Sequence, residues 1–484
     1  MRILLVKPKA RLRTVRGLER LQRLEPLELG YLAAVVPPPH EVRVLDLRLH
    51  RAADRAYLRA LSAYRPDVVG ISGYSHEASE VKRLAAVAKR HLPKTFVVVG
   101  GHHATVAAAD YDVDGIDAIV RGEGCAPFAA LVAALAAGRP PEGIPHLLRT
   151  GADFDDAACA TWPQFPDPAT LPRPRRDLWS WRDYYCVWVS ERPTPWEPLF
   201  PPTAMVRTSW GCRMLCTFCI VPNLCGGVHM PRPVDSVVDE IAALDADHVY
   251  FSDDENFIDE EFALALADGL ARRGVQKRYF AWTRATTVNR SPALLRRWRE
   301  VGLDAAFLGF EFPTDDELRA VKKGGSVAGN QRAHETLREL GIAVHAAFML
   351  MPEWDEAAFA RLRDFVAAMP PAQFSFTVCT PSPGTADYAA MKERIWTPDP
   401  FSLHDCMHPL TATALPLTRF SELYADLLAT AGKRHPMRLM RHPIRLADAV
   451  RVAWADNRWR HAFGSLYRDY PERLWGQATG DRGQ

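Results

Sequence analysis

Apolar residues occur along the chain either in short continuous runs or in longer stretches spaced three to four residues apart. Up to about residue 138, five continuous runs have the length of strands buried on both faces of a parallel sheet. Amphipathic stretches such as LELGYLAAVV and EVKRLAAVAKRHL separate these runs. The alternation predicts an α/β domain with strands at RILLV (2–6), EVRVLDL (41–47), DVVGIS (67–72), TFVVVGG (95–101) and GIDAIVRG (115–122).

The pattern then changes three times along the rest of the chain. A stretch rich in Pro and Trp, without a clear period, indicates a linker laid over a surface. Six strand-like runs that alternate with helical segments follow, and they predict a partial (β/α)6 barrel with its chemistry on the loops after the strands. A mainly helical region ends the chain and includes FSELYADLL at helical spacing. The predicted α/β architecture is a Rossmann-like domain (1–138), a linker (139–202), a barrel (203–385) and a helical C-terminal region (386–484).

Composition narrows the class of protein. The chain has 484 residues, 48% of them hydrophobic and 24% charged, as in ordinary soluble globular proteins of two or three domains. A net charge of +2 is too small for the chain as a whole to attract nucleic acid electrostatically, so nucleic acid is not expected as a partner. The first ten residues have a strand-length apolar run, and no run approaches the roughly 20 residues that span a bilayer. We therefore expect a cytoplasmic protein.

Three of the nine cysteines are concentrated in RTSWGCRMLCTFC (207–219). Cys212, Cys216 and Cys219 have C-x3-C-x2-C spacing and directly follow the first predicted barrel strand. An odd total of cysteines in a reducing compartment favours metal binding over disulfides. Three thiolates suit zinc or an iron–sulfur cluster and leave a fourth position open, which Cys225 or His229 would have to close in a structural zinc site. The position at a barrel mouth favours the cluster.

The segment CRMLCTFC, with aromatic Phe218 before the last cysteine, resembles the cluster loop of the radical S-adenosylmethionine (SAM) enzymes. The resemblance covers 203–385 and implies that the three cysteines hold a 4Fe-4S cluster, whose fourth iron is chelated by SAM. It further implies that an external electron donor drives cleavage of SAM to a 5'-deoxyadenosyl radical, which abstracts hydrogen from an unreactive carbon.

The resemblance also implies SAM contacts at the ends of later strands. In YFSDDENFID, three acids match the position that meets the methionine ammonium group, although they could instead cap the next helix near Asp259. Arg284 ends another strand, where a buried arginine needs an anionic partner. The predicted SAM-binding residues are Phe218, Asp253, Asp254, Glu255, Arg284 and Glu311.

A parallel domain before such a barrel resembles the cobalamin-binding domain of the cobalamin-dependent radical SAM enzymes. The matching segments are LEPLELGYLAA, GISGYS, GGHHAT and RGEG, and small residues at strand ends let a bulky ring approach the backbone. A nucleotide-binding domain is the alternative, but no G-x-G-x-x-G follows the first strand. The predicted cobalamin-binding residues are Ser72, Gly73, Tyr74, Gly100, Gly101, His103, Gly122, Glu123 and Gly124.

The loop after the first strand departs from many cobalamin domains. They carry Asp-x-His-x-x-Gly there, and the histidine binds cobalt from below, whereas KPKARLRTVRGLERLQRLEP (7–26) contains no histidine. We therefore expect cobalt without a histidine from this loop. His76, His102 and His103 are predicted to make polar contacts or to begin helices rather than to bind cobalt.

The two resemblances together imply C-methylation at an unactivated carbon. The substrate radical would take a methyl group from methylcobalamin, and a second SAM would remethylate the cobalt. The carboxyl ends of the strands in the Rossmann-like domain and in the barrel must then face each other across the substrate. We expect the linker aromatics to close the cavity between them, namely Trp179, Trp181, Tyr184 and Tyr185. The alternatives are a cobalamin-dependent radical cyclase or oxidase and a cobalamin-sensing iron–sulfur protein.

Two C-terminal features bear on the substrate. PSPGTADYAAMKE (381–393) and the stretch 399–428 resemble the bacterial hopanoid C-3 methylases, which implies a small, hydrophobic, polycyclic lipid substrate. The stretch RHPIRLADAVRVAWADNRWRHAF (441–463) interleaves Arg with apolar residues, as does a helix on an anionic membrane surface. Packing of that helix on its own barrel is the alternative to a peripheral contact with the inner membrane.

Overall fold

The computed structural model describes residues 1–397, 399–434 and 445–476. The five strands predicted for the N-terminal domain are all present, and two further short strands accompany them. The strands are β1 (Arg2–Lys7), β2 (Gln22–Arg23), β3 (Glu41–Asp46), β4 (Val68–Ser72), β5 (Phe96–Gly100), β6 (Ala118–Val120) and β7 (Leu147–Arg149). The helices are α1 (Arg13–Leu18), α2 (Leu27–Ala34), α3 (Ala53–Tyr64), α4 (Ala78–His91), α5 (His102–Val106) and α6 (Cys125–Ala136).

Six of these strands form one sheet in the order β3-β1-β4-β5-β6-β7, parallel except for antiparallel β7. Both faces of this sheet are covered, which explains why β1 and β4 consist of continuous apolar residues. Helices α3 and α4 pack Leu61 and Leu84 on one face, and α2 and α6 pack Leu29 and Phe128 on the other. Because the strands are parallel, the loops after β4, β5 and β6 meet at one edge of the sheet.

The segment between the two sheets contains α7 (Asp156–Cys159) and β8 (Tyr185–Cys186), which pairs with β2. Arg176 of this segment donates to Glu25 of the N-terminal domain and, at 2.8 Å, to Glu240 of the barrel. Glu25 also accepts hydrogen bonds from the Met205 amide (2.8 Å) and the Trp179 indole (2.9 Å). This buried network of paired charges connects the segment and both domains.

The second sheet belongs to the barrel region, whose strands are β9 (Thr203–Val206), β10 (Ser209–Trp210), β11 (Met230–Pro231), β12 (His248–Phe251), β13 (Arg278–Thr283), β14 (Leu303–Glu311), β15 (Ala343–Leu350) and β16 (Gln373–Val378). This sheet is parallel throughout and follows chain order, β9-β12-β13-β14-β15-β16, with its edge strands unpaired to each other, so the predicted partial barrel is confirmed. A small antiparallel pair, β10 with β11, brackets the cysteine loop. The helices are α8 (Val221–Leu224), α9 (Val234–Ala242), α10 (Glu260–Arg272), α11 (Ala285–Arg290), α12 (Pro292–Val301), α13 (Asp315–Ala320), α14 (Val327–Glu339), α15 (Glu356–Ala368) and α16 (Ala386–Met391).

The C-terminal region is mainly helical, as predicted, with α17 (Leu417–Arg434) and α18 (Leu446–Phe463). Helix α17 buries Phe420, Tyr424 and Leu427 at the predicted spacing against the barrel core. Residues 441–444 of the predicted basic amphipathic helix lie outside the described residues, and α18 is its described part. Among the described residues, no helix combines the length and the apolar character needed to cross a bilayer.

Candidate active site

A cavity of about 880 Å³ lies where the carboxyl ends of the two sheets face each other. The loops after β4, β5 and β6 line one side of it, and the cysteine loop after β9 and the ends of β12, β13 and β14 line the other. The prediction that the carboxyl ends of the strands in the two domains face each other is therefore confirmed. A molecule in this cavity would contact both domains at once.

The three predicted cysteines lie together on the barrel side of this cavity. Cys212 and Cys216 are buried and Cys219 is partly buried. Burial raises the pKa of Cys212 and raises that of Cys219 to about 11, while the backbone amides of Met214 and Val221 partly offset these shifts. Thiols this protonated need a positive partner, such as a metal, to become thiolates.

The acids after β12 have three different environments. One oxygen of Asp253 accepts from the amides and hydroxyls of Thr208 and Ser209, and the other accepts from Asn256, so this carboxylate anchors the start of the cysteine loop. Asp254 accepts from Arg207 at 2.7 Å and from the Gly211 amide at 2.8 Å.

Glu255 is the acid that keeps a buried oxygen without a hydrogen-bond partner in the described part of the chain. Its Oε1 accepts from the Thr283 hydroxyl at 2.9 Å, but its buried Oε2 has no hydrogen-bond partner among the described residues. Burial raises the pKa of Glu255 to about 7, because the surrounding donors do not compensate for the lost water. A buried carboxylate that lacks a full set of donors, on a residue that lines the cavity, is suited to an ammonium group.

Arg284 and Glu311 also lie at this end of the cavity, and Phe218 contributes to its lining. The buried Arg284 guanidinium places Nη1 3.5 Å from Cys216 Sγ and donates from Nη2 to the Lys323 carbonyl, while its Nε has no partner in the described part of the chain. Glu311 has a positive φ of 62° and accepts from Lys323 Nζ at 2.6 Å. Arg284 thus retains one free donor for an anionic group.

One of the two residues that could close a zinc site lies away from the cavity. Cys225 lines the cavity, but His229 does not, and His229 packs against Phe262 instead. Within the described residues, no three His, Cys, Asp or Glu side chains converge on a point where one ion could bind. Thiolates of an iron–sulfur cluster bind different irons and need no such convergence.

The N-terminal side of the cavity is built from small residues. Gly101 has a φ of +94°, and an added Cβ would lie 2.8 Å from Ser72 Oγ and 3.0 Å from the Gly73 backbone. Tyr74 is 54% exposed, and the Lys7 ammonium lies 4.6 Å from its ring centroid. All the predicted cobalamin-binding residues except His103 line the cavity. A large planar ring could therefore approach the backbone here.

His103 differs from the prediction because its ring is buried behind the loop. Its ring nitrogens lie 3.2 Å from Ser75 Oγ and 2.9 Å from Asp110 Oδ2, and Phe401 packs on the ring. His102, the preceding residue, lines the cavity instead, and burial lowers its pKa to about 4. Neighbouring residues in a helical turn point in different directions, so His102 lines the cavity while His103, one position later, packs behind the loop.

The expectation for the linker aromatics was wrong. Trp179 packs over Gly30, Tyr184 is buried and donates to Asp46, and Tyr185 donates to the Glu19 carbonyl. None of the four predicted aromatic residues lines the cavity. The linker residues that do so are Phe165 and Leu171.

The sequence reasoning missed an apolar floor inside the barrel. Tyr250 and Trp282 line the cavity, and the Trp282 indole donates to the Tyr250 hydroxyl at 2.8 Å. Phe307 stacks on Trp282 with ring centroids 3.9 Å apart, and Met205 lies beside them. These residues point into the barrel from neighbouring strands, so inward alternation in the strand segments was the signal that could have found them.

Comparison with known proteins agrees with both halves of this site. Residues 13–132 match the model of the B12 binding domain, and residues 206–366 match that of the Radical SAM superfamily. The hopanoid C-3 methylase of Methylococcus capsulatus is 30% identical over 413 residues, which are 84% of this chain and 76% of that protein. The anaerobic magnesium-protoporphyrin IX monomethyl ester cyclase of Rubrivivax gelatinosus is 25% identical over 360 residues, 72% of this chain and 62% of that protein.

A solved structure shows the same fold. The radical S-adenosylmethionine methyltransferase TsrM from Kitasatospora setae, solved with cobalamin and a 4Fe-4S cluster bound, superposes with a TM-score of 0.64 over 97% of this chain and 99% of that chain, at 18% identity. The chain therefore belongs to the cobalamin-dependent radical SAM enzymes. Within that class it is a methyltransferase, with a 4Fe-4S cluster, SAM and cobalamin as its cofactors.

Proposed function

We propose that the protein methylates an unactivated carbon of a hydrophobic polycyclic lipid of the hopanoid kind. When bound, the cluster and SAM supply the oxidant that breaks a substrate C–H bond, and cobalamin supplies the methyl group. The observation that carries the proposal is the cavity between the cysteine loop and the glycine-lined strand ends, because a substrate there touches both. The 30% identity to a hopanoid C-3 methylase supports the choice of lipid.

In this proposal the side chains on the barrel side divide into three groups. The three cysteines hold the cluster, and Asp253 positions their loop through Thr208 and Ser209. The free oxygen of Glu255 meets the SAM ammonium, and the free Nε of Arg284 faces an anionic group of the same molecule. The residues proposed to line the SAM site beside these two are Phe218, Asp254 and Glu311.

The residues on the opposite side bind cobalamin by leaving room for it. Gly101 packs closely against Ser72 and Gly73, and the glycines of these cavity-lining loops place no side chain between their backbone and the cavity. The proposed cobalamin set is Ser72, Gly73, Tyr74, Gly100, Gly101, Gly122, Glu123 and Gly124, without His103. The domains we propose remain 1–138, 139–202, 203–385 and 386–484, and an external donor supplies the electrons.

The apolar floor supports a hydrophobic substrate. The polar atoms of Tyr250 and Trp282 bond to each other, so the floor presents mainly aromatic faces and the Met205 side chain to the cavity. Such a surface stabilises an apolar ligand and excludes water from the reacting carbon. The floor formed by Tyr250, Trp282, Phe307 and Met205 therefore favours apolar over polar groups of a substrate.

The test is methyl transfer from SAM labelled with deuterium in its methyl group. Anaerobically reconstituted protein, cobalamin, a reductant and a detergent-dispersed hopanoid should give a lipid that carries one labelled methyl group by mass spectrometry. The Cys212→Ala/Cys216→Ala/Cys219→Ala variant should give none. An oxidised or cyclised product without label would support the cyclase alternative, and label only on a polar acceptor would refute the lipid substrate while keeping methyl transfer.

A further inference from the structure

Helix α18 presents an apolar face to solvent. Leu446, Val450 and Trp454 follow one another at intervals of four residues, which places them on one side of the helix, and they are 79%, 60% and 37% exposed. Trp196, 58% exposed, lies beside them, because its carbonyl accepts from Arg445 Nε at 2.9 Å. These four are among nine large apolar side chains exposed in the described residues, so exposed apolar surface is concentrated here.

Arginines surround this face. The guanidinium groups of Arg20 and Arg458 lie 3.6 Å and 4.8 Å from the ring centroid of Trp454. Arg16 and Arg451 are close enough to Arg20 that, after burial, their charges contribute to lowering its pKa. Across the described ranges, no carboxylate lies within ion-pair distance of any of these four arginines. Positive charge without an ion-pair partner, beside exposed Trp, Leu and Val, is typical of surfaces that meet an anionic lipid headgroup layer.

The same helix covers the outside of a cavity wall. Arg451 donates to the Arg20 carbonyl at 2.8 Å and stacks on Tyr185, 4.0 Å from its ring centroid. Tyr185 belongs to β8, which pairs with β2, and Gln22 of β2 lines the active-site cavity. Through Arg451, α18 therefore packs on the β2–β8 pair, whose Gln22 lines the cavity.

We propose that this face, formed by Trp196, Leu446, Val450 and Trp454 with Arg16, Arg20 and Arg458 around them, docks on an anionic phospholipid bilayer. The bilayer is favoured as the occupant because it offers both an apolar layer for the Trp, Leu and Val side chains and a continuous negative surface for unpaired arginines. Docking brings the wall of the cavity close to the membrane. The inference goes beyond the proposed methylation and is tested by binding alone.

The experiment is flotation of the holoenzyme with vesicles. We expect it to bind vesicles of phosphatidylglycerol and phosphatidylethanolamine, to bind phosphatidylcholine vesicles weakly, and to release at high salt. The Val450→Glu/Trp454→Ser variant should lose binding, and Arg20→Gln/Arg458→Gln should weaken it by about fivefold for each arginine removed. Leu58→Glu, at an apolar side chain 42% exposed on α3, is the matched control and should bind as the unaltered protein does.

A second measurement uses the unaltered protein, so that misfolding of a variant cannot decide the result. Brominated phosphatidylglycerol should quench part of the tryptophan fluorescence, because Trp196 and Trp454 would insert beside the lipid. Iron and cobalamin contents of the variants check their folding. Absence of vesicle binding, equal binding by the α18 variants, or a dimer that these variants convert to monomer without any vesicle binding would each overturn the proposal.

Discussion

Asp253, Asp254 and Glu255 are adjacent in sequence but differ in the hydrogen bonds that their carboxylate oxygens accept. Asp253 accepts at both oxygens, Asp254 accepts from a guanidinium and an amide, and Glu255 keeps one buried oxygen without a partner. The sequence predicts that acidic residues follow β12, because the end of the apolar run and the acids after it can both be read from the sequence. It does not distinguish their roles, because the partners Thr208, Arg207 and Thr283 come from other parts of the chain.

Glu255→Gln is predicted to weaken SAM binding by roughly tenfold to a hundredfold. The amide is isosteric but uncharged, so a charge-assisted hydrogen bond to the SAM ammonium group is lost. Equilibrium dialysis with SAM measures the change without depending on turnover. Glu261→Gln, on an exposed acid of α10, should leave the dissociation constant unchanged, and an equal loss in both variants would contradict a direct contact by Glu255.

Replacing Cys212, Cys216 and Cys219 together by Ala is predicted to abolish the cluster. Anaerobically reconstituted protein should bind about four irons and four sulfides, and the triple variant should bind none. Iron and sulfide assays with the visible absorption spectrum provide the measurement. Cys225→Ala is the matched control, since Cys225 is buried and lines the same cavity, and loss of iron from that variant instead would refute the ligand assignment.

At the scale of elements, the apolar runs predict all the central strands of both sheets, because burial on both faces demands such runs. The edge of the first sheet was harder to predict. Strand β7 is only three residues long and partly exposed, so LLR carries no distinctive period. The direction of the His103 side chain was also hidden, since the residues that cover its ring include Phe401, almost three hundred residues away in the sequence.

Gly101→Trp is predicted to lower the cobalamin content of the purified protein by roughly tenfold or more while the iron content is kept. The new side chain would collide with Ser72 and the Gly73 backbone, and its bulk would fill the space before the loop. Cobalamin is measured by its absorption spectrum after extraction.

Gly138→Trp is the matched control for this change. Gly138 also has a positive φ, +65°, but an added Cβ would meet nothing within 4 Å, so it shares the backbone cost without the collision. Equal loss of cobalamin from both variants would mean that backbone strain, and not obstruction of the site, explains the result.

The whole molecule depends on contacts between residues that are far apart in sequence. Arg176 joins Glu25 and Glu240, and no local pattern marks these three as partners. For the same reason, the prediction that linker aromatics close the cavity was wrong. Large aromatic side chains can pack against many different neighbours, and in the structure Trp179 packs on Gly30 while Tyr184 donates a hydrogen bond to Asp46. The identity of the domains could be predicted from motifs, whereas the surfaces through which they join could not.

A second long-range network joins the C-terminal region to the first loop of the N-terminal domain. His408 is buried, and its ring nitrogens lie 3.0 Å from Asp405 and 3.2 Å from Asp469. Asp405 accepts from the Thr14 hydroxyl at 2.5 Å, and Asp469 accepts from Arg13 at 2.9 Å. Burial opposes the charged ring, but the two carboxylates prevail and raise the pKa of His408 to about 9.

His408→Gln is therefore predicted to destabilise the protein in a pH-dependent way. A folded-state pKa of about 9, above the usual 6.5, means that the stabilisation is complete below pH 6.5 and is lost as the pH rises through 9. At pH 6 the variant should melt roughly 5 °C below the unaltered protein, and the gap should close above pH 9, where a neutral imidazole between two carboxylates is no better than an amide. Thermal denaturation of both proteins at the two pH values measures this difference in melting temperature. His461→Gln, at an exposed position of α18, is the control and should melt with the unaltered protein at either pH. A gap of equal size at both pH values would show that the ring of His408 acts through its shape and not through its charge.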